Sequence, residues 1–168
     1  MFRNMRRSRQ ELDQKACEDI LNRGTSGVLA VLGDEDYPYA VPLSYYYEEG
    51  KVYFHCAKSG HKLDAIRKSP KASFCVIEQD QVIPERYTTH YRSVIVFGTV
   101  RILEGDTEKR AAVEKLADKY APEASSDYRD KYIEKEWAPL CMLEMTVKHM
   151  TGKEAMKLVR ERRLSKSR

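Results

Sequence analysis

Residues 54–70 read FHCAKSGHKLDAIRKSP, an apolar strand-like run that passes through Ser59-Gly60-His61-Lys62 straight into a helix. A helix N-terminus is the positive end of a dipole and leaves its first N–H groups without intrahelical acceptors, so acidic residues are its usual neighbours. Here it opens on a His and a Lys. The pattern leaves a place for an anion, and a phosphate group is the ordinary occupant of such a position. The alternative is an exposed first turn whose cations point to water, at a dipole penalty of only about 0.3–1 kcal/mol. The helix, His61 to Lys68, stops ahead of Ser69-Pro70, because a proline disfavours helical backbone in the residue before it.

Upstream of this stretch the pattern is that of short strands. SGVLAVLG, PYAVPLSYYY and KVYFHCA are separated by the turn signals Gly33-Asp34-Glu35-Asp36 and Glu48-Glu49-Gly50, which predicts three antiparallel strands. Pro38 and Pro42 lie within the second, so part of it is expected at an edge where an N–H is not needed for pairing. Ahead of these, Ser8-Arg9-Gln10-Glu11 has the form of a capping box, and Leu12, Ala16, Ile20 and Leu21 recur on one face, which predicts a helix over about 9–23.

Downstream come KASFCVIEQ, a polar connection containing Pro84, and the long strand YRSVIVFGTVRIL, whose central Gly98 suggests a bulge or sharp bend. Asp106 or Thr107 is expected to cap a helix carrying Val113, Leu116, Ala117 and Tyr120 on one face. A second helix is expected over 125–137, followed by the strand PLCMLEMTVKHM. Six strands dominated by antiparallel hairpins, with helices between them, point to an α+β, mainly β fold: a closed or partly closed β-barrel with peripheral helices.

At 168 residues the chain suits one domain, 1–168, with a core of its own. A composition of 42% hydrophobic and 33% charged residues is that of a soluble globular protein, and no apolar run is long enough to span a bilayer. The basic start MFRNMRRSRQ has no apolar stretch behind it, so a secretory signal is not expected and the cytoplasm is the default location. The four cysteines, Cys17, Cys56, Cys75 and Cys141, are read as free thiols. There is no Cys-x-x-Cys pair, and His55, His61, His90 and His149 lack ligand spacing, so no metal site is expected. The C-terminal segment 157–168, KLVRERRLSKSR, is strongly basic and reads as a solvated, frayed tail, a type that can also contact nucleic acid or a membrane surface. P-loop, Rossmann and G-x-S-x-G motifs are all missing, which gives no support to those chemistries.

Taken in order, MRRSRQEL, GVLAVLGDEDYPYAVPLSYYY, VYFHCAKSGHKLDAIRKSPKASFCV and YRSVIVFGTVRIL resemble the pyridoxamine-phosphate-oxidase-like flavoproteins, and within them the nitroimidazole-resistance branch. The resemblance runs from about Met5 to the final strand near Gly152. It implies a six-stranded FMN-binding split barrel working as a homodimer, with two FMN sites at the subunit interface. On that resemblance His61 and Lys62 bind the FMN phosphate, and Ser59 and Gly60 let the loop approach it. Ala40, Val41, Pro42, Leu43 and Ser44 run along the flavin ring edge with their backbone, while His55, Cys56 and Ala57 lie beneath the ring or its ribityl chain. Ser93 and Val94 reach the FMN of the partner subunit.

From the residues themselves, Cys56 reads as a small packing residue rather than a nucleophile, since nothing nearby lowers its pKa. His55 is either a hydrogen-bonded core histidine or a group near the flavin, and is the one side chain weighed for a catalytic role. Trp137 is expected to pack in the core or an interface; His90 and His149 are expected to serve structure or solvent. The basic motif that grips the substrate phosphate in the longer, pyridoxamine-phosphate-oxidising members is not found after Gly152, so vitamin B6 oxidation is not expected.

The function implied is an FMN-dependent oxidoreductase that reduces nitroaromatic or related electron-poor small molecules, with NADH or NADPH to be tried as donor. Two alternatives stay open: a non-catalytic flavin- or haem-binding split barrel, and a small basic barrel that binds nucleic acid.

Overall fold

The computed structural model describes residues 1–166. A 3-10 turn at Ser8–Gln10 leads into β1 (Glu11–Leu12) and α1 (Gln14–Arg23). Then come β2 (Ser26–Leu32), β3 (Pro38–Ser44), β4 (Tyr46–Glu48), β5 (Lys51–Ala57) and α2 (His61–Lys68). The long strands β6 (Lys71–Ile83) and β7 (Thr88–Ile102) are followed by α3 (Asp106–Tyr120), α4 (Ser126–Glu136), β8 (Leu140–Glu154) and α5 (Met156–Lys166).

Among the described residues eight strands form one antiparallel sheet in the order β3-β2-β6-β7-β8-β5-β4, with β1 paired to β8. The expectation of six strands is therefore corrected to eight. The sheet does not close by pairing: β3 and β5 approach each other across a seam without hydrogen-bonding as neighbours. The two added strands, β4 and β1, arise where composition gives no sign of them. The run Pro38–Tyr47 divides at Tyr45, whose N–H is taken by the Tyr120 hydroxyl 2.9 Å away instead of a strand. Glu11 and Leu12, expected in the first helix, pair with Lys153 and Gly152 instead. That helix begins only at Gln14, because Asp13 caps it by accepting from Ala16 N–H at 2.9 Å.

Other boundaries fall close to expectation. Pro38 and Pro42 lie on β3, the edge strand of the sheet, the place where prolines are tolerated in strands. The β7–β8 register shifts between Phe97 and Gly98, as the mid-strand glycine suggested. The cap of α3 is Gly105, one residue before the expected Asp106. The C-terminal segment departs most from the reading as a frayed tail, since α5 buries Val159 and its Arg162 pairs with the fully buried Glu154, Nε to Oε1 2.7 Å.

The core lies inside the curved sheet. Leu29, Phe54, Phe74, Val76, Val94, Val96, Leu143 and Met145 point inward, and Ile20, Leu21, Leu63 and Ile66 from α1 and α2 close it. A second, smaller cluster lies on the outer face of β5 and β8, where Leu103, Ala112, Val113, Ile133 and Met142 pack with Trp137. Lys109 fastens this layer: its Nζ sits 3.9 Å over the Trp137 ring and donates to the Trp137 carbonyl at 3.1 Å. No helix among the described residues is long and apolar enough to cross a membrane.

Candidate functional site

The site is built where β5 leaves the sheet and α2 begins. α2 is short, but Leu63 and Ile66 stand one turn apart and are buried, with Ala65 between them, which seats the helix against the core. That seating fixes its N-terminus beside the seam. Gly60 precedes it at φ 129°, ψ 163°, a backbone region essentially restricted to glycine, and the space where a side chain would stand is open. The N–H groups of Leu63 and Asp64 turn back to the Gly60 carbonyl at 2.9 and 3.3 Å, whereas those of His61 and Lys62 meet no acceptor among the described residues. The acid in this turn, Asp64, is neutralised by Arg67 at 3.0 Å. Lys62 makes no ion pair among the described residues. Two free N–H groups, an open glycine and an unpaired ammonium at the positive end of a helix fit a multi-oxygen anion such as a phosphate ester.

His61 is held from the other side of the seam. Its ring stacks on Tyr39 of β3, centroids 4.2 Å apart at 25°. Its Nε2 accepts the Asp34 N–H at 3.4 Å and lies 3.5 Å from Asp34 Oδ2. Sequence reading took residues 33–36 only as a turn and did not single out Tyr39. These residues are distant from His61 along the chain, and only the curvature of the sheet brings them to it.

The β5 residues divide by the strand's alternation. Phe54 faces the core, Cys56 is half-buried on the same side, and His55 and Ala57 are exposed on the other. His55 is opposed in register by Met142, so it lies beside the layer formed by α3 and α4. Partial burial and the nearby Lys62 ammonium hold its pKa below the ordinary imidazole value. Cys56 stands directly opposite Cys141, and its thiol is pushed up to about 12 by burial, by the charge of Cys141 and by a hydrogen bond with it. At neutral pH it is a thiol, as a packing residue would be.

Ala40–Ser44 occupy β3, whose outer edge carries no strand among the described residues, and Tyr39 connects that strand to His61. The structure thus brings 40–44, 55–57 and 59–62 to the two sides of one seam. It does not bring Ser93 and Val94 there. They lie on β7, two strands from β5 in the sheet order, with Val94 fully buried in the core and Ser93 on the outer face opposite Ile77. Among the described residues no group of three or more His, Cys, Asp or Glu side chains is placed to hold a metal ion.

A family model described as pyridoxamine 5'-phosphate oxidase matches residues 13–154. Among solved structures, a proposed 5-nitroimidazole antibiotic resistance protein from Bacteroides thetaiotaomicron superposes with a TM-score of 0.72 at 20% identity, over 85% of each chain. A conserved hypothetical protein from Mycobacterium tuberculosis superposes with a TM-score of 0.79 at 15% identity, over 92% of each chain. An FAD-binding protein from Mesorhizobium loti gives 0.65 at 23% identity, over 87% of this chain and 97% of the other. At these identities the likeness is one of fold. No curated protein matches the chain in sequence. The family match runs from the cap of α1 to the last residue of β8 and takes in both sides of the seam at His61: the chain belongs to the pyridoxamine 5'-phosphate oxidase family.

Proposed function

We propose that this chain binds FMN at the N-terminus of α2 and acts as an FMN-dependent oxidoreductase on nitroaromatic compounds, in the manner of the nitroimidazole-resistance branch. The observation that carries the reading is the turn Gly60-His61-Lys62, whose acceptor-free N–H groups and unpaired lysine fit a phosphate ester in a chain of this family. The fold likeness to an FAD-binding protein and to a proposed nitroimidazole-resistance protein supports a flavin and this class of substrate.

When bound, FMN supplies the redox chemistry through its isoalloxazine ring. The chain holds and orients. His61, Lys62 and the helix N–H groups take the phosphate, and Ser59 and Gly60 allow the backbone close to it. The free edge of β3 at Ala40–Ser44 offers backbone groups to the ring's polar rim, with Pro42 giving up an N–H that no strand requires. His55 and Ala57 stand on the exposed side of β5, and Cys56 packs behind them. With no side chain poised as a nucleophile among the described residues, catalysis is assigned to placing an electron-poor ring against the cofactor and favouring negative charge through Lys62 and backbone donors. NADH and NADPH are the donors to try.

A second copy of the chain completes the site in this reading. The outer face of β2, β6 and β7 leaves Val28, Ile77 and Ile95 exposed at 38%, 64% and 39%, and Ser93 lies among them. A run of exposed apolar side chains on one sheet face marks an interaction surface. A homodimer through this face would carry Ser93 toward the partner's cofactor.

The test is an FMN titration of the purified protein followed by reduction with NADH or NADPH and reoxidation by a nitroimidazole. Replacing His61 and Lys62 together by Ala is expected to weaken FMN binding roughly 10²–10⁴-fold, from about 1.5–3 kcal/mol for each charge-assisted hydrogen bond. A double variant that still purifies yellow overturns the site, and a loaded protein that no nitro compound reoxidises overturns the activity.

A further inference from the structure

The hairpin turn between β2 and β3 is built in an unusual way. Glu35 and Asp36 both adopt left-handed backbone, φ 51° and 61°, at positions where such turns ordinarily use Gly or Asn. The turn is nonetheless well closed, with Gly33 N–H donating to the Tyr37 carbonyl at 2.8 Å and Tyr37 N–H to the Asp34 carbonyl at 3.0 Å. Strain of this kind persists where the surroundings over-determine it. Here the turn's own two backbone bonds close it, and the His61 imidazole packs beside it at Asp34. A Cβ at Gly33 would stand 3.0 Å from each of His61 Nε2, the Tyr37 carbonyl oxygen and Tyr39 Cβ, so glycine lets the turn close both on itself and against the ring.

The contacts also decide where the imidazole proton lies. A neutral imidazole has one N–H and one acceptor nitrogen, and the bond made by one nitrogen sets the state of the other. Nε2 receives the Asp34 N–H and is therefore the acceptor. That bond assigns the proton of the neutral ring to Nδ1, and no group among the described residues takes it. The Asp34 carboxylate lies 3.5 Å from the same nitrogen.

We propose that Asp34 and Tyr39 are positioning residues that hold His61 as its Nδ1–H tautomer, so that this nitrogen donates to the ligand's phosphate. The inference rests on the phosphate reading of the α2 N-terminus but is tested separately from it. A long-range ¹H–¹⁵N spectrum of the full chain stripped of flavin, with His61 identified by its loss in His61→Asn, reports the tautomer of the neutral ring. The expected result is a protonated Nδ1 and an unprotonated Nε2, the reverse of the preference of a free imidazole side chain. A protonated Nε2 with bare Nδ1 overturns the proposal.

Gly33→Ala is expected to push the ring off Asp34, return it to the Nε2–H form and weaken FMN binding about tenfold or more. Tyr39→Leu removes the stacking without loading the turn, and is expected to act in the same direction if Gly33→Ala does not fold. A Tyr39→Leu protein with unchanged tautomer and unchanged FMN affinity also overturns the proposal. Unchanged FMN affinity in His61→Ala, with the Nδ1–H tautomer confirmed, sinks the phosphate site instead and leaves the positioning intact.

Discussion

Gly60 sits at φ 129°, ψ 163°, where a side chain meets no neighbour but the backbone itself resists one. Gly60→Ala is expected to cost about 1–3 kcal/mol of stability, or to flip the loop and lose the phosphate turn. Urea unfolding checks the first outcome and FMN titration the second; a variant unchanged in both refutes the strain argument. At this scale the Gly60-His61-Lys62 turn was legible in the sequence, because its parts are neighbours in the chain and the helix that follows ends on a proline signal. The residues that hold His61 were not. Asp34 lies 27 residues away from His61 and nothing local couples the two.

Among the elements, β8 carries the polar anchor of the sheet's outer face. Glu144 is buried and accepts from Lys51 of β5 at 3.1 Å and from Arg101 of β7 at 2.9 Å. Burial alone would raise its pKa, but the hydrogen bonds from Arg101 and Lys51 outweigh it and hold the carboxyl below the ordinary value. The folded pKa is thus depressed. Stability from this group is present above the ordinary carboxylate range and is lost as pH falls through the folded value. Glu144→Gln is expected to cost about 1–2 kcal/mol at neutral pH, reduced from a fully buried pair because both cations are half-exposed, and less as pH falls through the lowered pKa of this carboxyl. Thermal unfolding at pH 7 and at low pH measures the difference, and an equal loss at both would contradict it. α5 shows why a basic, polar segment was misread as a frayed end. Its pattern is weak, and it is held by Val159 and by Arg162 on Glu154, a carboxylate buried at the end of β8 that the sequence alone could not place inside.

For the whole molecule, the exposed apolar face of β2, β6 and β7 sets the expected assembly. Ile77→Glu with Ile95→Glu places two charges on that face without touching either core. The pair is expected to convert a dimer to monomer by light scattering, raising the dissociation constant at least about a hundredfold, and to lower FMN affinity with it. A wild-type protein that is monomeric at all concentrations, yet binds FMN, would remove the second copy from the site. The sequence by itself determined the strand and helix types, the glycine-led turn and the family, since each depends on periodicity and on residues close in the chain. The eight-strand order, the seam between β3 and β5, the meeting of Asp34 and Tyr39 with His61 and the outward placing of Ser93 were decided only by the tertiary structure. Strand pairing and sheet curvature are long-range: they depend on which faces bury together, and no single segment encodes its partner.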